Sequence, residues 1–205
     1  MKRQQIITAL LIAVLLGSAI YKATRPDAGL LKFRVQGTTA YGYGTTDSRS
    51  YGVIKRLVRD HPQVETLVFK NMPGTKDVDT NLKIARNIRK AGLNTHLEGT
   101  SFIASGAVDL FLSGKTRTME CGAMIGVHTI HYYNEGALTK GKSFHPGNMG
   151  RDPFQKHNEA FLRDMGIDPA FYEFSRDKAL PEDLYYLTPD DINRFDLLGR
   201  PLKCS

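Results

Sequence analysis

Val64-Glu65-Thr66-Leu67-Val68-Phe69-Lys70-Asn71-Met72-Pro73-Gly74-Thr75 is a strand that opens straight into a glycine turn. The run from Val64 to Phe69 is apolar and rich in β-branched residues, the make-up of a central strand. Pro73 and Gly74 then turn the chain. Ser105 follows 30 residues after Thr75, set among small residues in Ile103-Ala104-Ser105-Gly106-Ala107. His128, in Gly126-Val127-His128, lies another 23 residues on. A glycine turn, a serine at the start of a helix and a histidine on a strand are the parts that acyl transfer needs. The spacing points to a serine hydrolase and is silent on what is hydrolysed.

Outward from these stretches the chain alternates strand and helix. Leu31-Lys32-Phe33-Arg34-Val35 alternates apolar and polar, as a half-buried strand does. Thr46 or Asp47 is placed to cap a helix whose Tyr51, Ile54 and Val58 share a face and which ends at Pro62. Thr75 or Asp77 caps a second, with Val78, Leu82, Ala85 and Ile88 turned inward and Gly92 as its stop. Thr95 to Leu97 reads as a short strand, Ser105 to Leu112 as a helix of small residues and Met124 to Ile130 as a strand. Asp152-Pro153 opens a helix with Phe154, Phe161 and Met165 on one face, closed by Gly166, and Asp168-Pro169 opens another. Thr188-Pro189-Asp190-Asp191 has the form of a capping box before a last helix carrying Ile192 and Phe195. This order predicts an α/β domain with a mainly parallel sheet and right-handed βαβ crossovers.

The N-terminal residues stand apart. A short basic start, Met1 to Gln5, precedes the uncharged apolar run Ile6 to Ile20. Its 15 residues fall short of the roughly 20 that span a bilayer and fit the apolar region of a secretory signal or signal-anchor. Gly17 and Ala19 fit a small-residue cleavage site. Residues 1–27 are therefore read as a signal peptide or membrane anchor, and 28–205 as one domain large enough for a real core. The net charge of +7 comes from lysines and arginines scattered along helices, such as Lys55-Arg56-Arg59 and Lys83-Arg86-Arg89-Lys90. No basic run interleaves with aromatics, which argues against nucleic acid as a partner. Cys121 and Cys204 are placed either to pair in an oxidising compartment or, for Cys121, to pack as a small apolar residue. Neither has a neighbour at metal-ligand spacing, so no metal or cofactor is expected.

A strand ending in Asn-x-Pro-Gly, a helix, a short strand, Ala-Ser-x-Ala opening a helix and a strand ending in His together resemble the proteolytic subunit of Clp protease and its ClpP/crotonase superfamily. The resemblance covers about Leu31 to Gly199. It implies Ser105 as nucleophile and His128 as general base. It also implies an oxyanion hole built from the Gly74–Thr75 turn and the amide of Gly106, and a peptide or protein as substrate. Two departures stand out: Thr75 occupies the place of a second glycine, and the segment after the serine is one residue shorter than the usual Ser-Met-Gly-Ala. The family's aspartate aligns with Leu184, one residue after Asp183. Asp183 is therefore the expected third member and Asp177 the fallback. Superfamily members usually assemble as homo-oligomers.

Each residue also has a plainer reading. A serine at the head of a helix often only caps it. A histidine on an apolar strand is often a hydrogen-bonded core residue. Asp183 reads equally as a solvated loop carboxylate. His131 is the rival base, while His145 and His157 form no zinc pattern. A Ser–Lys dyad through Lys70 or Lys115 has no spacing that selects it. Tyr132 to Arg151, rich in glycine, is long for a connector and reads as a lid or surface excursion. The leading expectation is a ClpP-like serine peptidase at a bacterial inner membrane, its domain facing the periplasm or released into it. The alternatives are a non-catalytic binding protein of the same fold and a crotonase-type acyl-CoA enzyme.

Overall fold

The computed structural model describes residues 29–129 and 154–204. Three successive passes of the chain build the site, and each lays one strand in each of two sheets. The strands β3 (Thr66–Phe69) and β4 (Asn71–Met72) form the first pass. The second is β5 (Asn94–Leu97) with β6 (Phe102–Ala104), and the third is β7 (Arg117–Met119) with β8 (Met124–Val127). β3, β5 and β7 enter the first sheet, of order β1-β2-β3-β5-β7, whose outer hairpin is β1 (Lys32–Gln36) and β2 (Thr39–Tyr43). β4, β6 and β8 enter the second, closed by β9 (Tyr185–Tyr186). The pairs inside the sheets are parallel, while the outer pairs β1–β2 and β8–β9 are antiparallel.

Helix α1 (Ser50–Asp60) precedes β3, α2 (Val78–Lys90) follows β4 and α3 (Gly106–Leu112) follows β6. Leu82, Ala85 and Ile88 of α2 are buried, on the face that the sequence periodicity selects. The Asp77 side chain caps α2 by accepting the Thr80 N–H. α1 begins later than expected because its two candidate caps are used otherwise. The Thr46 hydroxyl is buried on Asn81, and the Asp47 carboxylate accepts from the Arg49 amide and the Ser50 hydroxyl. Beyond residue 153 come α4 (Gln155–Asp164), α5 (Ala170–Lys178) and α6 (Pro189–Arg194). The capping box of α6 forms as read, with Thr188 and Asp191 reciprocally bonded.

The core is continuous between the sheets and helices, from Ile54 and Leu67 through Phe69, Ile103 and Phe111 to Phe161 and Leu197. Arg117 crosses it. Its guanidinium donates to the carbonyls of Leu197 (2.5 Å), Met165 (3.3 Å) and Leu112 (3.5 Å). One buried cation thus satisfies carbonyls from three helix C-terminal regions, and burial holds it below its ordinary pKa. Cys121 and Cys204 are joined in a disulfide that ties the C-terminal tail to the turn after β7. The expected leader, residues 1–27, and the glycine-rich stretch after Tyr132 lie outside the described residues, as do His131 and His145. Among the described residues no helix is long and apolar enough to cross a membrane.

Candidate active site

Ser105 occupies the one-residue corner between β6 and α3. Its backbone stands at φ 53° and ψ −133°. Such a conformation is rare outside glycine and costs on the order of 1–3 kcal/mol, so it persists only where the surroundings impose it. Here the Ser105 N–H donates to Gly126 O at 3.0 Å, extending the β6–β8 ladder. One residue later the chain is already helical, and the Val108 N–H returns to Ser105 O at 2.8 Å. The strand–serine–helix corner has the form of a nucleophile elbow. The hydroxyl makes no capping hydrogen bond. The plainer reading of Ser105 as a helix cap is therefore set aside.

His128 arrives by the neighbouring strand. β6 and β8 pair in parallel with Ala104 opposite Gly126, so both chains deliver their next residues to the same sheet edge. Ser105 and His128 line one cavity of about 390 Å³. Its apolar lining comes from Val78 of α2, Val108 of α3, Val127 of β8, Leu162 of α4 and Phe171 of α5, with the polar Asn158 on α4 beside them. Phe171 is held from behind by the edge of the Phe195 ring at 5.2 Å.

The turn before α2 closes over the serine. Gly74 has φ +141°, which disfavours any side chain, and a Cβ there would come within 3.0 Å of the Ser105 Cβ. Thr46 pairs with this segment, donating to Gly74 O and accepting from the Lys76 N–H. Peptide groups alternate sides along an extended segment, so the Thr75 N–H is turned away from Thr46. It has no acceptor among the described residues, and neither does the first amide of α3, that of Gly106. The Thr75 hydroxyl bonds both the amide and the carbonyl of Asp77, while its methyl group packs on Gly106. The threonine in place of glycine therefore braces the turn. Gly106 is required by this closeness, since a Cβ on it would lie 2.5 Å from that methyl.

Asn81, fully buried on α2, fixes the other side of the corner. Its Nδ2 donates to Gly106 O (2.7 Å) and to Asp109 Oδ2 (3.1 Å), and its Oδ1 accepts from the Thr46 hydroxyl (2.9 Å). Asp109 lies one helical turn beyond Ser105 and lines the same cavity. It keeps a partial exposure into that space, yet burial pushes its carboxyl up to about 7, a rise that the Asn81 hydrogen bond only partly offsets. Asp109, Lys76 and Ser175 line the cavity and escape a motif-based reading of the sequence. The available signal for Asp109 was its i+4 spacing from Ser105.

The remaining candidates fall elsewhere. Asp183 is exposed in the turn before β9, its amide bonded to Leu180 O, and does not line the cavity. The register of β8 with β9 sets Val127 opposite Tyr185, which brings this turn alongside the end of β8. Asp177 is exposed on α5. Lys70 is engaged with Glu98 and Thr100, and Lys115 is exposed before β7. His157 is exposed on α4.

No protein-family model matches the chain, and no curated protein matches it. Among solved structures, a membrane-bound stomatin-specific protease superposes with a TM-score of 0.52 at 14% identity, covering 80% of this chain and 79% of that one. The fold is ClpP/crotonase-like. The same protease in complex with a substrate peptide gives a TM-score of 0.48 at 15% identity, over 80% of this chain and 75% of that one. An enoyl-CoA hydratase from a Polaromonas species gives 0.35 at 13% identity over 48% of this chain and 51% of its own.

Proposed function

We propose that the chain is a ClpP-like serine peptidase that acts outside the cytoplasm, at a bacterial inner membrane or released from it. The observation that carries this reading is the strained, uncapped Ser105 corner, facing the same cavity as His128. Ser105 attacks the substrate carbonyl, and His128 takes its proton and returns it to the leaving amine. The amides of Thr75 and Gly106 receive the developing oxyanion. Asp183, from the turn beside the end of β8, orients His128. The likeness in fold to a protease supports the peptidase class over other acyl transfers. Against the alternative of a non-catalytic binding protein, Thr75, which departs from the family's glycine, braces the turn with its side chain while its amide has no acceptor among the described residues.

Export is supported by the basic start, the apolar run to Ile20 and the Cys121–Cys204 disulfide, a bond that persists in oxidising compartments. Hydrolysis of a mixed peptide library by the full chain in detergent tests the activity. Cleavage is expected in the wild type and absent in Ser105→Ala. In Asp183→Asn it should fall roughly 10⁴-fold, the loss typical of a triad aspartate. Normal cleavage in Asp183→Asn together with its loss in Asp177→Asn would move the orienting role to α5.

A further inference from the structure

The cavity lined by Ser105 exposes mostly apolar surface, yet polar groups interrupt it, Asn158 on α4 and Ser175 on α5 among them, and its α3 face carries a carboxyl group. Ser105, Gly106, Val108 and Asp109 follow one another along that face, so the cavity extends from the nucleophile to Asp109. Asp109 lies within the first turn of α3 past the Ser105 corner, and one helical turn rises about 5.4 Å, comparable with the reach of a lysine side chain. Val78, Val127, Leu162 and Phe171 line the same cavity and supply apolar surface for a ligand that reaches the carboxyl. Across the cavity, the Ser175 hydroxyl on α5 is buried and has no hydrogen-bond partner among the described residues.

We infer that this cavity is the side-chain subsite of the proposed peptidase and that Asp109 makes it selective for a basic residue, of lysine or arginine type, at the attacked carbonyl. The inference rests on the peptidase reading for the position of the carbonyl, and on the cavity alone for the selectivity. A long aliphatic stem lies against the apolar walls and the cation at its end reaches Asp109. Burial makes a lone carboxylate costly, and a partner cation compensates that cost. The charged and titratable groups facing Asp109 are few. Asn81 holds Oδ2 and is neutral, and Tyr172 lies on the α5 wall. His128 is at the β8 end of the cavity, and Lys76, exposed at its rim, forms no ion pair with Asp109. Asp109 is thus not already neutralised by a described side chain. Its carboxyl, raised to about 7, takes part as an anion above that pH and is protonated below it.

The test uses two tripeptide amides that differ only in carrying lysine or norleucine at the third position, the latter lacking the ammonium group. Their binding to the full-length Ser105→Ala chain is measured by calorimetry, so that no turnover is needed. At about pH 8.5 the lysine peptide should bind at least tenfold tighter, and the preference should shrink by about pH 6 as Asp109 takes up a proton. In the Ser105→Ala, Asp109→Asn double variant the two peptides should bind alike. Equal binding at the higher pH, preference for norleucine, or no binding of either peptide would overturn the inference. A lysine preference that survives Asp109→Asn would overturn it as well. Fluorophosphonate labelling of the wild type separates the two claims. A labelled protein without lysine preference contradicts the selectivity alone, and an unlabelled protein with it contradicts the hydrolase alone.

Discussion

At Ser105 a left-handed backbone conformation is held by the ladder bond to Gly126 on one side and by the first turn of α3 on the other. Catalytic serines commonly sit in such corners because the strain lifts the hydroxyl clear of both elements. The sequence singled out Ser105 by its small neighbours and the turn upstream, and the fold places it in this corner, whereas nothing in the sequence singled out Asp109. An aspartate inside a helix ordinarily reads as a solvated charge, and only the fold turns this one into a cavity wall. Its raised pKa has a consequence for stability. An unfolded aspartate releases its proton near 3.8, while the folded one keeps it to about 7. Between those values the folded state holds a proton that the unfolded chain has lost, so stability falls as pH rises through the window and stays reduced above it. The full effect is at most about 4 kcal/mol. Asp109→Asn, which keeps the volume and the acceptor for Asn81, should remove this dependence and raise the denaturation midpoint above pH 7. Chemical denaturation of both proteins at about pH 5 and about pH 8 measures it. An unchanged pH slope would show that Asp109 titrates normally.

At the scale of elements, the site is set by how α2 and α3 are tied together. Asn81 bonds the Gly106 carbonyl, the Asp109 carboxyl and the Thr46 hydroxyl, joining the segment before α1, α2 and the head of α3. Asn81→Ala leaves buried polar groups unsatisfied and should cost roughly 2–3 kcal/mol. It should also lower the rate of Ser105 acylation more than it alters peptide binding, because the head of α3 that carries the Gly106 amide loses the Asn81 bond to the Gly106 carbonyl. Thermal unfolding and single-turnover kinetics check the two effects. Helices α2 and α6 were readable because periodicity and caps agree in them. The strand pairs β3–β4, β5–β6 and β7–β8 were read only in part. Two-, three- and four-residue strands carry no period, and the switch between sheets is decided by pairing partners distant in sequence. β2 was missed for a related reason: Gly42 and Gly44 hide its alternation, and Gly42 is needed because Phe33 and Phe69 close over it.

Across the whole molecule, the C-terminal segment is fastened at two points, by Arg117 on the Leu197 carbonyl and by the disulfide at Cys204. The alternative of Cys121 as a buried apolar residue gives way to the disulfide, with both cysteines exposed. The bond spans 83 residues, and a loop of that size removes at most about 4.5 kcal/mol of unfolded-chain entropy. Cys204→Ser should therefore lower the thermal midpoint, and reductant should have no further effect on that variant. Differential scanning calorimetry with and without reductant checks this, and equal midpoints for wild type and variant would show the bond to be unused. The charge, the apolar run to Ile20 and the resemblance in strand order were all legible at this scale, whereas the cavity was not. Its walls come from four helices and a strand that only the fold brings together.

Ser105, as proposed, is an activated nucleophile, a property that covalent labelling by a fluorophosphonate reads without a known substrate. The full chain should be modified at Ser105, with labelling absent in Ser105→Ala and sharply reduced in folded His128→Ala, as peptide mapping by mass spectrometry will read. A folded wild type that takes no label, or a label that persists in Ser105→Ala, would show that Ser105 is not an activated nucleophile.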